Sequence, residues 1–145
     1  MRGLKTGGLK SPQTYTTETI SDGQLADILK TPLYDKDLKI LLITDAGHSG
    51  NIWNIPDKPE DLSKFPKNFV SISSCHPFYP SYNVILDSKL QSYFSYYFCK
   101  AFREHPTYSF KQIQHWINQQ IPEQKMEIHY STPELVEKPF FPPKK

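Results

Sequence analysis

The chain has few of the features that mark special classes of protein. Only two of its 145 residues are cysteines, Cys75 and Cys99, which gives neither a disulfide framework nor a CxxC metal motif. No run of 18 apolar residues is present, and the N-terminal MRGLKTGGLK lacks the apolar stretch of a signal peptide. These absences predict a cytoplasmic protein that has no membrane partner.

An excess of charge of one sign is also missing. Lys and Arg together number 17 and Asp and Glu 15, so the formal net charge is +2, and no basic run is longer than the terminal Lys144-Lys145. This balance argues against nucleic acid as a partner. The residues His105, His115 and His129 are scattered along the sequence. We therefore expect no metal site and no cofactor.

The chain is rich in aromatic residues and in proline. It has nine Tyr, nine Phe, two Trp and 13 Pro. A single domain of this length buries roughly 68% of the surface that its unfolded chain exposes. The composition therefore predicts a core built largely from aromatic side chains, with many turns.

Hydrophobic periodicity predicts the secondary structure after a flexible N-terminal arm, residues 1–19. Two short strands are expected at Ile40–Ile43, which should be buried on both faces, and at Phe69–Ser73, with a polar surface loop from Asn51 to Asn68 between them. Three helices are expected at Asp22–Lys30, capped by Ser21, at Ser88–Arg103, with Cys99 as a core thiol, and from the cap Ser109 to Gln119. A short edge strand is expected at Glu127–Ser131.

The most informative segment follows the first predicted strand. The residues are Asp45, Ala46, Gly47, His48, Ser49 and Gly50. In open α/β sheets, ligands bind beyond the carboxyl ends of the parallel strands, so this hexapeptide is a candidate site. The alternative is a turn in which glycines serve the geometry and polar groups cap the following residues.

The segment ITDAGHSG resembles the nucleophile segment of metacaspases, a branch of the caspase-like cysteine peptidases (peptidase C14), in which a strand runs into Asp-x-Cys-His-Ser-Gly. Asp45, His48, Ser49 and Gly50 match this pattern, whereas Gly47 occupies the place of the nucleophilic cysteine. The order of elements from Ile20 to Phe141 is also similar. The resemblance implies that residues 20–145 form the C-terminal portion of a caspase-like domain, an α/β three-layer fold with a parallel sheet flanked by helices.

The resemblance also implies what this chain lacks. A caspase-type peptidase needs a thiolate and a histidine, and the family's histidine precedes the first helix, where this sequence has none. Asp45 corresponds to the acidic residue that lines the family's pocket for Arg or Lys, although it could equally cap a turn. Cys75, followed by His76, is a less favoured alternative nucleophile. Neighbouring residues on an extended segment point to opposite faces, so the thiol and the imidazole would not form a hydrogen-bonded pair.

We therefore expect a caspase homologue without catalytic residues, a pseudoenzyme that acts as an interaction or regulatory module, in the family's context of proteolysis and programmed cell death. Its sheet would lack the strands that precede this portion in the family. The exposed edge predicts a protein partner or self-association. The alternative is a subunit or altered fragment of a cysteine endopeptidase that cleaves after Arg or Lys.

Overall fold

The computed structural model describes residues 20–31 and 38–141. The N-terminal arm predicted at residues 1–19 lies outside the described residues. Within them the elements follow in the order α1 (Asp22–Leu29), β1 (Ile40–Thr44), a 3-10 helix (Pro59–Lys64), β2 (Phe69–Ser73), β3 (Asn83–Leu86), β4 (Lys89–Ser92), α2 (Tyr93–Glu104), α3 (Phe110–Gln120), β5 (Glu127–Tyr130) and α4 (Glu134–Glu137). The chain is an α/β protein.

A three-stranded sheet in the order β1-β2-β5 forms the centre of the fold. Strands β1 and β2 are parallel, with Ile40 opposite Phe69, and β2 and β5 are antiparallel, with Ser73 opposite Glu127. The sheet is therefore mixed, and the prediction of a parallel sheet holds only for β1 and β2. The short edge strand predicted near residue 127 is confirmed as β5.

The strand that is buried on both faces is β2, not β1. Every residue of β2 is buried, because β2 lies between two strands and under packed layers on both sides. Strand β1 is half-buried, and the side chain of Ile43 is 49% exposed. The prediction that Ile40–Ile43 is a doubly buried strand was wrong, since an unbroken apolar run does not distinguish a central strand from an edge strand.

The alternation of β2 divides the interior into two cores, one on each face of the sheet. Val70 and Ile72 face a cluster formed with α2, α3 and α4, in which Phe94, Phe98, Phe110 and five smaller buried side chains pack together with Met126. Phe69 faces the other way, against Leu29 of α1 and the loop residues Ile55 and Phe65. The sheet is therefore the middle of three layers.

Two helices begin at the predicted serines. The Ser21 side chain accepts from the Gln24 amide, and the Ser109 side chain accepts from the Gln112 amide. In both cases the glutamine side chain bonds back to the serine amide, which completes a capping box. The loop predicted between residues 51 and 68 contains the short 3-10 helix.

The helix predicted at Ser88–Arg103 is shorter and begins at Tyr93. The preceding residues belong to a hairpin of β3 and β4, which was not predicted. Strand β4 has only four residues and runs directly into α2, so its Leu90 fits the helical spacing of the residues that follow. The prediction that Cys99 is a core thiol was wrong, because this side chain is exposed on α2.

The turn of this hairpin consists of Asp87 and Ser88, both at positive φ, 53° and 62°. Two-residue hairpin turns of this kind prefer Asp-Gly or Asn-Gly, since glycine reaches this region without steric cost. Hydrogen bonding to the Asp87 carboxylate is the main cause that raises the pKa of the Tyr96 phenol. The turn therefore lies beside α2.

Replacing Ser88 by glycine should stabilise the protein by about 1 kcal/mol, because a residue with a Cβ is strained in the left-handed region. Thermal unfolding followed by circular dichroism measures this change. The Ser88→Ala variant is the control, since it removes the hydroxyl and keeps the Cβ. Equal stability of the glycine and alanine variants would contradict this account of the turn.

Candidate functional site

The loop Asp45–Gly50 leaves the carboxyl end of β1 and lies beside the carboxyl end of β2, as expected for two parallel strands. Ser74 connects the two ends. Its amide donates to Thr44 O at 2.9 Å, and its hydroxyl both accepts from the Ala46 amide and donates to the Ala46 carbonyl, each at 3.2 Å. Cys75 Sγ donates to the same carbonyl at 3.2 Å. Two side chains after β2 thus fix the backbone of Ala46.

The second half of the loop is held by buried and backbone contacts. Ser49 is buried, and its Oγ lies 3.4 Å from Ser74 Oγ and 3.8 Å from Cys75 Sγ. His48 has a positive φ of 58°, and its Nδ1 lies 3.0 Å from the Pro77 carbonyl, so Nδ1 is the protonated nitrogen and donates this bond. The His48 amide donates to Tyr79 O. These bonds tie the loop to residues 77–79.

The two glycines of the loop occupy different environments. A Cβ at Gly47 would meet nothing closer than the Ser81 amide nitrogen, at 3.6 Å. A Cβ at Gly50 would overlap Pro77, at 2.5 Å from its nitrogen, and would lie 2.8 Å from Glu127 Oε2. The fold therefore requires glycine at position 50, whereas position 47 has room for a side chain.

Replacing Gly50 by alanine should destabilise the protein by at least about 2 kcal/mol, because the added methyl group forces Pro77 and the loop apart. The matched variant Gly47→Ala should change the stability by less than about 0.5 kcal/mol. Urea unfolding of both variants tests the contrast. Equal losses of stability at the two positions would contradict the described packing of the loop.

Asp45, the candidate pocket residue, has an exposed side chain. Its Oδ1 accepts from Ser81 Oγ at 3.1 Å, and its Oδ2 accepts from Ser95 Oγ at 2.5 Å. Ser95 lies in the first turn of α2 and Ser81 in the loop before β3. Sequence reasoning did not identify either serine, since 36 and 50 residues separate them from Asp45. The two hydroxyls fix the orientation of the carboxylate.

Gln124 supports this arrangement from the interior and was also missed. Its side chain is fully buried, and its Nε2 donates to Ser74 O at 3.3 Å and lies 3.5 Å from Ser81 Oγ. Its Oε1 accepts from the Tyr82 amide at 3.1 Å. Gln124 therefore links the end of β2 to the loop that presents Ser81. The only signal in the sequence is a glutamine in a short connection, which is not distinctive.

Substituting Gln124 by leucine should destabilise the protein by about 2 kcal/mol, because the buried Ser74 carbonyl and the partly buried Tyr82 amide lose their partners. The exposed Gln120→Leu substitution on α3 is the control and should have little effect. The free energy of unfolding in urea measures both. A Gln124→Leu variant as stable as its control would show that these bonds do not support the site.

The structure separates Cys75 from His76. The thiol is fully buried and directed at Ala46, whereas the imidazole of His76 is partly exposed. His76 Nδ1 accepts from the Phe78 amide, so its proton lies on Nε2, which faces Glu127 Oε1 at 3.5 Å. The two side chains therefore have separate partners and are not hydrogen-bonded to each other.

Glu127 lies between two histidines. Its Oε2 is 3.5 Å from His129 Nε2, and its Oε1 faces His76. His129 thus has a carboxylate neighbour that is two residues away on the same face of β5. Within residues 20–31 and 38–141, no three His, Cys, Asp or Glu side chains are grouped as a metal ion would require.

Comparison with known proteins gives no family for the chain. No family model matches the sequence, and no curated protein matches it significantly. None of the described helices is both long enough and apolar enough to cross a membrane.

Proposed function

We propose that this chain is a non-catalytic homologue of caspase-like cysteine peptidases, which acts in the cytoplasm by binding protein through the free edge of β1. The α/β layers and the loop that follows β1 are compatible with a caspase-like fold. The proposal about catalysis depends on Gly47, which occupies the place of the nucleophile and has no side chain that could attack a carbonyl.

The observation that carries the binding proposal is the position of β1. Within the described residues β1 pairs only with β2. Its Ile43 is 49% exposed, and Leu38, just before the strand, is 48% exposed. An edge strand with apolar side chains is a template for pairing with another chain, and native proteins normally protect such an edge. A second copy can supply the pairing strand.

Light scattering on a sizing column should therefore give the mass of a dimer for the purified chain, and the Ile43→Lys variant should give the mass of a monomer. A lysine on an edge strand opposes pairing while it stays in solvent. The control is Ile85→Lys on β3, where the isoleucine is 75% exposed and belongs to a different sheet from β1. A monomeric parent, or equal effects of both lysines, would contradict the proposal.

The second candidate is an altered cysteine endopeptidase that cleaves after Arg or Lys. It is favoured by the fixed carboxylate of Asp45, which suits a basic side chain, and by the space for a side chain at Gly47. Under this alternative the glycine replaced a cysteine without a change in the loop.

The chain should show no hydrolysis of peptides that contain Arg or Lys. The Gly47→Cys variant should fold normally and remain nearly inactive, because the sequence supplies no histidine before α1. Release of a fluorophore from Arg and Lys substrates measures the rate. Hydrolysis by the parent chain that is abolished by thiol alkylation would overturn the proposal of a non-catalytic protein.

A further inference from the structure

A groove lies at the pole of the sheet opposite the Asp45–Gly50 loop. It has a volume of about 280 Å³ and is lined by Lys39, Asn68, Thr132, Glu134, Lys138 and neighbouring residues. Lys39 immediately precedes β1, and Asn68 immediately precedes β2, while Thr132 follows β5. The antiparallel direction of β5 brings its end to the same pole, so the groove is a consequence of the topology.

A small aromatic pocket adjoins this groove. It has a volume of about 80 Å³, and its walls include Phe102, Phe110 and Phe141. Pro139 and Phe140 line both the groove and the pocket. The aromatic walls are fixed by ring contacts, with centroids 5.1 Å apart for Phe110 and Phe140. At roughly 30 Å³ for a water-sized group, the pocket holds a side chain of about three heavy atoms.

A positive charge lies where the groove meets the aromatic pocket. Lys39 Nζ lies over the Phe140 ring, 5.8 Å from its centroid, and among the described residues Lys39 has no carboxylate partner. Lys138 pairs with Glu134 at 3.7 Å. Two lysines and one glutamate leave a net charge of +1, and the hydroxyl of Thr132 adds a further hydrogen-bond donor. This chemistry favours an anion beside the aromatic pocket.

We propose that the groove binds the carboxyl terminus of a peptide that ends in an aliphatic residue. In such a terminus the carboxylate and the side chain share one Cα, which matches a cationic groove that adjoins an apolar pocket. Most of the lining side chains, including Lys39, Thr132 and Lys138, are exposed. An open groove buries little of a small free acid, whereas a peptide gains further contacts along the surface.

The neighbouring segment of the chain itself does not match this chemistry. Residues 142–145 read Pro-Pro-Lys-Lys, a sequence that carries two positive side chains and no acidic or aliphatic side chain to match the groove and the pocket. Charge complementarity therefore favours a ligand from another molecule.

Titration of the full chain with acetyl-Gly-Gly-Val, whose terminal side chain has three carbons, tests the proposal when it is followed by amide chemical shifts in NMR spectra. The free acid should produce saturable shifts at Thr132 and Leu135, and should bind about three- to five-fold more tightly than the same peptide with a C-terminal amide, as expected for one exposed charge contact. Absence of saturable shifts, or equal affinity of acid and amide, would overturn the site.

Two variants locate the contacts. Lys39→Gln should reduce the affinity for the acid to that for the amide, whereas Lys89→Gln, an exposed lysine on β4, should leave it unchanged. Phe141→Ala, which removes an exposed wall of the pocket, should weaken acid and amide equally. Unchanged binding of the acid by the Lys39→Gln variant would show that the carboxylate is bound elsewhere.

Discussion

The structure depends on the burial of one short strand, β2. Its five residues are buried, it hydrogen-bonds to β1 on one side and β5 on the other, and its alternate side chains belong to two separate cores. Because Val70 and Ile72 face the helices and Phe69 faces α1, a shift in register would exchange the two cores. The register of β2 therefore determines where the end of β1 and the following loop lie.

The candidate site follows from that register. Ser74 and Cys75 continue from β2 and fix Ala46, and Gln124 connects the same strand end to the loop that carries Ser81. The carboxylate of Asp45 is consequently oriented by side chains from two other parts of the chain. Under the proposed caspase-like relationship, Gly47 occupies the place of the nucleophile and has no side chain that could attack a carbonyl.

Local signals were sufficient for much of the fold. The capping serines Ser21 and Ser109, and the strand Phe69–Ser73, lie where the sequence predicted them, because caps and apolar runs are encoded within a few residues. The burial of β1, the β3–β4 hairpin and the exposure of Cys99 were not predicted. The burial of β1 and the exposure of Cys99 depend on which other elements pack against them in the folded chain. The hairpin was missed because its Asp87-Ser88 turn lacks the glycine that is typical of such turns.

The site was only partly predictable for the same reason. The hexapeptide is a continuous motif, whereas Ser81 and Ser95 reach Asp45, and Gln124 reaches Ser81, only after the chain folds. We propose that the edge of β1 binds a second copy of the chain. Hydrogen exchange of the backbone amides, measured at low and high protein concentration, tests it most directly. If β1 pairs with a second copy, the protection of residues 40–44 increases with protein concentration while that of β2 stays constant. Protection of β1 that does not depend on concentration would overturn the proposal.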